Sequence, residues 1–426
     1  MLVVGTAVRS SGRLCVFASV LVLIASTIGS CASSPAKPLA LLVNPVVALI
    51  DTPTAITVTG LEANAVVAVE ASMRDGAGHL FTSRATFRGK GSGDIDLRTA
   101  TPTSGGYSGV DAMGLIWSLA PTTGNVTDYG ILAPAGGLHI TFTVISAGAT
   151  LAVRTITRLL QLATITKTEE RPATDGFYGD YFAPGSSSGE SAAIMVFGGS
   201  EGGLDDHEAA LLASRGYPTL ALAYFGEPGL PKTLSAIPLE YFAKALTWLA
   251  HRPGVDPSRV VVQGVSRGSE AAQLLGVHYP ALVHGVIALV PSNVAICSFP
   301  SCSGPAWTID GEAVPYTKLF GDTTPPDNPA AAIPDQLIRG PILLDCGGED
   351  AIWPSCPYAD AIETRLTSAG FAYSRQLLTF PDAGHGIGFA IPYIPNYDSA
   401  LGGGAAGESA ARAAQWPDIL AYLANL

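Results

Sequence analysis

Charge is scarce in this chain. Asp, Glu, Lys and Arg make up 14% of its 426 residues, against roughly 25% in an ordinary globular protein. The balance is acidic, 23 Lys plus Arg against 35 Asp plus Glu, for a net charge of −12. No basic run interrupts it. That argues against nucleic acid, where clustered Lys and Arg supply most of the affinity. Metal patterns are missing as well. No cysteine pair has C-x-x-C spacing and no histidine sits beside one, so nothing calls for a metal or a cofactor. Hydrophobic content, 48%, is ordinary, and a chain of this length is expected to hold two domains.

The N-terminus reads as an export signal, residues 1–31. Arg9 and Arg13 precede an apolar run over residues 14–28, which is short of the ~20 residues of a spanning helix. Small residues follow, Gly29-Ser30-Cys31, and complete the signal pattern. The Cys after Ile-Gly-Ser resembles a bacterial lipobox, so Cys31 is the expected lipidation site. The mature protein is then exported, either anchored to a membrane or secreted. An unused signal would leave it cytoplasmic. The six cysteines fit export. Once Cys15 is cleaved off and Cys31 lipidated, four remain as two local pairs. Cys297–Cys302 and Cys346–Cys356 are the expected disulfides, one of three possible connectivities.

Residues 40–165 read as an all-β domain. Ala55-Ile-Thr-Val-Thr59, residues 65–71, 139–144 and 151–156 alternate apolar and polar, the habit of half-buried strands. Gly-rich turns separate them, and short, evenly spaced strands suggest a β-sandwich. From residue 170 to 426 the rhythm changes. Short continuous apolar runs, such as Ala193-Ile-Met-Val-Phe197 and Val286-Ile-Ala-Leu-Val290, alternate with amphipathic stretches at 206–215, 238–251, 269–278, 356–369 and 408–425. That is the pattern of a parallel sheet covered by helices on both faces.

Three segments match the G-x-S-x-G pattern of serine hydrolases: GSSSG at 185–189, GGSEG at 198–202 and GVSRG at 264–268. GSSSG lies in a low-complexity connector with no strand directly before it. The other two follow strands, so the next element decides. A nucleophile elbow passes from strand to helix in one sharp turn. Helical sequence starts directly after Ser266, whereas after Ser200 a Gly-rich gap delays it to about Asp206. Ser266 is therefore the expected nucleophile. GGSEG is the expected oxyanion loop, its Gly199 or Ser200 N–H acting with that of Arg267.

The partners should follow in the order Ser, acid, His. Of His278, His284 and His385, only His385 lies on a glycine-flanked loop past a strand. Asp345, Glu349, Asp350 and Asp382 compete as the acid. Asp345 sits at its strand end and Asp382 is too close to His385 in sequence. Glu349 stays open, and Asp350 is preferred for its place in the loop after the strand.

At this point the chain from about Asp51 onward resembles one family, the acyl-CoA thioesterases related to bile acid-CoA:amino acid N-acyltransferase. The likeness rests on SMRDGAGHLF at 72–81, GYSGVDAMGLIW at 106–117, FGGSEGGL at 197–204 and LALAY at 220–224. GVSRG at 264–268, GEDAIW at 348–353 and Gly384-His385 continue it. It implies an immunoglobulin-like β-sandwich before an α/β-hydrolase domain, with Ser266, Asp350 and His385 as triad. It also implies an acyl-CoA substrate, within fatty acid metabolism. Family members that transfer acyl groups to amino acids place Cys at the nucleophile, so Ser266 resembles the hydrolytic branch. Export departs from the family, because acyl-CoA is cytosolic. An exported carboxylesterase or lipase-like enzyme acting on oxygen esters is the alternative, and a non-catalytic surface lipoprotein is a third. Residues 297–331, proline-rich and carrying a Cys pair, are expected to cap the site.

Overall fold

A computed structural model describes residues 37–123, 136–185, 189–318, 328–395 and 398–426. The expected export segment and Cys31 lie outside them. In the N-terminal part, Ala40–Asn44, Ala55–Thr59 and Ile95–Asp96 form a three-stranded antiparallel sheet. A larger sheet is built on Val66–Arg74, Leu80–Arg88, Leu138–Ser146 and Ala149–Leu159. Alternation decides which side is buried. Phe81, Ala85 and Phe87 point inward with Val67, Val69, Ala71 and Met73, and meet Ile56 and Val58 of the first sheet. Arg84 and Arg88, on the opposite side of the same strand, stay in water. Burying each such aromatic or aliphatic side chain is worth ~1.5–3 kcal/mol.

The C-terminal part is one eight-stranded sheet. Its strands are β1 (Thr166–Glu170), β2 (Tyr178–Ala183), β3 (Ser191–Phe197), β4 (Thr219–Ala223), β5 (Val255–Val265), β6 (Gly285–Leu289), β7 (Ile342–Gly347) and β8 (Arg375–Phe380). They lie in the order β1-β2-β4-β3-β5-β6-β7-β8. From β4 to β8 all neighbours are parallel, while β2 is antiparallel to both β1 and β4. The fully parallel sheet expected from the apolar runs is thus modified at one edge. β1 and β2 carry charged and half-exposed residues that no continuous run betrays. β1 also begins four residues before the boundary expected at 170.

Helices cover both faces. Alternate residues of each inner strand face opposite ways. Ile194, Val196, Val261 and Leu343 meet α1 (Asp206–Ser214) and α5 (Ala405–Ala424). Ala193, Met195, Val262 and Leu344 meet α2 (Leu239–Ala250), α3 (Arg267–His278) and α4 (Ser355–Ser368). A strand buried on both sides needs apolar residues throughout, which is why these read as runs rather than alternations. This strand order, with its elbow after β5, is the α/β-hydrolase fold. The β-sandwich packs on the α1 and α5 face and shares its core. Residues 38–426 form one body.

Candidate active site

Ser266 sits between β5 and α3, with φ 54° and ψ −122°. Among the three candidate motifs it is the one serine described with a positive φ. An L-residue held there is strained, and such strain persists only where surrounding structure fixes it. The neighbouring glycines are part of that fixing. A Cβ on Gly264 would lie 2.2 Å from the Gly268 carbonyl oxygen, and one on Gly268 2.3 Å from that of Gly198. Helix α3 starts at Arg267, so the Arg267 N–H stands among the unpaired donors of a helix N-terminus.

The Arg267 side chain is buried and turned away from the serine. It pairs with Glu270 at 2.6 Å and donates to the carbonyls of Ile296 and Cys297, both at 2.9 Å. Glu270 in turn accepts from Trp307 Nε1 and from the Ile296 N–H. The segment after β6 is thereby tied to the elbow.

GGSEG follows β3, and α1 starts only at Asp206, the delay expected of an oxyanion loop. The loop touches the nucleophile, since a Cβ on Gly199 would lie 2.8 Å from Ser266 Cβ. The buried Tyr224 hydroxyl reaches the carbonyls of Gly198 (2.8 Å) and Gly199 (3.0 Å) and fixes the loop. Ser200 is half-buried. The Gly199 N–H is engaged, donating to Glu201 Oε1 at 2.7 Å. Although the residue as a whole is exposed, its carboxylate lies against the loop, and the desolvation there raises it above its ordinary value; the Gly199 hydrogen bond partly offsets this. In GSSSG, Ser186, Ser187 and Ser188 lie outside the described residues.

Asp350 and His385 meet. His385 Nδ1 is 2.8 Å from Asp350 Oδ2, and both side chains are almost fully buried. The other carboxylate oxygen of Asp350 accepts from the backbone N–H groups of Ile352 (2.9 Å) and Trp353 (3.2 Å). The Trp353 ring stands edge-on to the imidazole, centroids 5.6 Å apart, and its Nε1 donates to the Val290 carbonyl. Behind His385, the Gly384 N–H donates to Glu408 Oε1 at 2.8 Å.

The competing acids are placed elsewhere. Asp345 is fully buried in β7 and accepts from the Val290 N–H at 2.7 Å. Burial pushes its carboxyl well above the usual range. Glu349 and Asp382 are exposed. His278 closes α3 and His284 precedes β6, at the end of the sheet opposite the elbow.

Both expected disulfides are present, Cys297–Cys302 and Cys346–Cys356. The second brackets the loop that carries Asp350. Of the expected cap, Cys297 and Ala331 pack on Trp353 and Tyr358 together with Val294 and Ile296 just before it, and residues 319–327 lie outside the described residues. Sequence reasoning missed Glu201, Tyr224, Trp353 and the Arg267–Glu270 pair. The first two were visible as neighbours of motif residues, but only the fold turns them toward the site.

Known proteins resemble this chain along most of its length. Residues 51–171 match the family described as acyl-CoA thioester hydrolase/BAAT N-terminal region, and residues 237–425 match BAAT/acyl-CoA thioester hydrolase C terminal. Acyl-coenzyme A thioesterase 1 of Rattus norvegicus is 28% identical over 361 residues, 81% of this chain and 84% of that protein. Bile acid-CoA:amino acid N-acyltransferase of Mus musculus is 29% identical over 370 residues, 82% and 86% of the two chains. A solved structure described as a putative dienelactone hydrolase from Klebsiella pneumoniae aligns with 62% of this chain and 98% of its own, at 17% identity and a TM-score of 0.43. The chain belongs to the acyl-CoA thioester hydrolase/BAAT family.

Proposed function

We propose that the chain is an acyl thioester hydrolase working through a Ser266–His385–Asp350 triad and an acyl-enzyme. The observation that carries this reading is the buried His385–Asp350 hydrogen bond in a chain whose Ser266 stands on a strained strand-to-helix elbow. Asp350, fixed by two backbone donors, holds the imidazole with Nδ1 protonated, so Nε2 is free to accept. The Ser266 hydroxyl gives its proton to Nε2 as Oγ attacks the acyl carbonyl. The oxyanion then forms beside the Arg267 N–H and the GGSEG loop, where each well-placed donor is worth roughly 3–4 kcal/mol. The thiolate leaves with the proton from His385. Water, deprotonated by the same nitrogen, then frees the acid.

A second reading keeps the triad and changes the leaving group. Both cysteine pairs of the C-terminal part are disulfide-bonded, which suits an oxidising compartment. With the N-terminal signal pattern, that favours an exported, Cys31-anchored enzyme acting on oxygen esters. One experiment separates the two: kcat/KM of the purified chain on acyl-CoA thioesters and on matched acyl esters of equal chain length. A preference for CoA supports the first reading, and indifference to CoA sinks it. Ser266→Ala should abolish turnover of both.

A further inference from the structure

The most informative side chain that the mechanism does not use is Glu201. Its carboxylate accepts the Gly199 N–H at 2.7 Å, one of the donors assigned to the oxyanion. Its other oxygen lies beside the same glycine, 3.1 Å from where a Gly199 Cβ would be, on the flank facing Ser266. The carboxylate therefore stands where the acyl oxygen has to go. We propose that Glu201 is a gate on the oxyanion hole: in the free enzyme it occupies the Gly199 N–H, and the acyl oxygen must displace it.

Three observations support this, given Ser266 as nucleophile. First, one N–H has one hydrogen, so a carboxylate and an oxyanion compete for it, and their like charges make sharing worse. Second, Glu201 is free to leave. The residue is exposed, no Lys or Arg pairs with it among the described residues, and Gly202 and Gly203 follow it in left-handed conformations. Third, its surroundings favour departure. The buried Tyr224 spends its hydroxyl on the loop carbonyls rather than on Glu201. Besides the loop's own N–H groups, His385 attracts it; that imidazole lies across the site and, when protonated, would hold the swung-out carboxylate. No covalent step is involved. The gate changes how readily acylation begins, and through it which acyl groups succeed.

The test is the second-order rate of Ser266 labelling by an uncharged fluorophosphonate, whose phosphoryl oxygen needs the same donors. Wild type, Glu201→Ala, Glu201→Gln and Ser266→Ala are compared from pH 5 to 9, with melting temperatures recorded. Glu201→Ala should label about tenfold faster than wild type at pH 8, the size of a charge-assisted hydrogen bond that no longer has to be broken. Glu201→Gln, a neutral acceptor of the same shape, should fall between. The Ala-to-wild-type ratio should shrink toward one at acid pH, where the Glu201 carboxyl is protonated. His385, Asp205 and Tyr224 face Glu201 in both proteins, so the ratio isolates Glu201. Equal or slower labelling of both variants at pH 8, with melting unchanged, overturns the gate and makes Glu201 a support for the loop. Labelling that persists in Ser266→Ala overturns the nucleophile and the gate together.

Discussion

The Cys346–Cys356 bridge should matter more to the catalytic loop than to the fold. It spans 10 residues of sequence. Closing a loop of that length in the unfolded chain contributes about 2.7 kcal/mol at 25 °C in the chain-entropy account. Spread over a cooperative body of this size, whose unfolding entropy is roughly 0.8 kcal/mol/K, that is a loss of only about 3 °C in Tm. Locally the same energy counts for more. Without the bridge the Asp350 loop is held by the Ile352 and Trp353 N–H groups on Asp350, by Trp353 Nε1 on the Val290 carbonyl and by the Gly347 N–H on Ser355 Oγ. A 2.7 kcal/mol loss raises the open fraction of that loop about 100-fold, yet it stays a minority. The clean experiment uses a Cys297→Ala/Cys302→Ala background, so that reductant opens a single described bridge. Amide exchange at Ile352 and Trp353 should accelerate by about two orders of magnitude on reduction. Hydrolysis at 25 °C should change little, and activity should fail several degrees below global melting. Unchanged exchange at these two amides after complete reduction would refute the idea that the bridge staples the acid.

Other consequences are as direct. Asp350→Asn keeps an oxygen for the Ile352 and Trp353 donors but turns an N–H toward His385 Nδ1. It should lower kcat by roughly 10³–10⁴ through the wrong tautomer while melting barely moves, and a loss under tenfold would return Glu349 to contention. Gly268→Ala puts a Cβ 2.3 Å from the Gly198 carbonyl oxygen, where backbone meets backbone. It should abolish Ser266 labelling and lower Tm, and a fully active variant would mean that the elbow and the oxyanion loop are not in contact. Glu208 is buried, its carboxyl pushed up to about 7 by burial, and accepts from Gln263 Nε2. Folded protein thus binds a proton there that unfolded protein releases near pH 4.5, so stability falls as pH rises from about 4.5 to 7. Glu208→Gln keeps the acceptor without the charge. It should match wild type at pH 4.5 and exceed it by up to roughly 3 kcal/mol at pH 8, seen as a Tm gap that opens over that window. A gap independent of pH would assign the effect to packing.

What the sequence discloses depends on how local the cause is. The inner strands were legible because burial on both faces forces apolar runs. The helix after Ser266 was legible because nothing Gly-rich delays it, whereas the five residues from Glu201 to Asp205 did delay α1. β1 and β2 were not legible. Thr166–Glu170 reads TKTEE, and its strand conformation comes from pairing with β2 rather than from a pattern of its own. The same holds for the site. Asp350 and His385 could be chosen by their loops after successive strands. The Glu201 contact with Gly199 could not, because G-x-S-x-G is blind to which way a side chain in the loop turns. Three serines matched that pattern, and the backbone separates the two that are described: Ser266 has a positive φ and Ser200 does not, and strain at that point is what lifts Oγ out of the strand.

Among the described residues the β-sandwich places no catalytic side chain in the site, yet it belongs to the frame that places the histidine. His385 sits on a turn held from behind by α5. Glu408 accepts the Gly384 N–H, and the buried Gln415 donates to the Ile387 carbonyl at 2.7 Å. One residue further along α5, Trp416 Nε1 donates to Asp51 Oδ2 at 2.8 Å. Asp51, at the edge of the sandwich and almost fully buried, also takes both ends of the Arg215 guanidinium beyond α1. A buried carboxylate with one bidentate cation and one indole donor is a directional joint, because leaving any of these groups unpaired would cost more than an exposed contact could. Around it the apolar face of α5, through Ala411, Ile419 and Leu423, is closed by the same core that contains Ile56, Phe81 and Phe142. An α/β-hydrolase sheet would otherwise leave that face in water. The sandwich thus covers α5 and fixes its rotation, and α5 fixes the turn on which the imidazole stands.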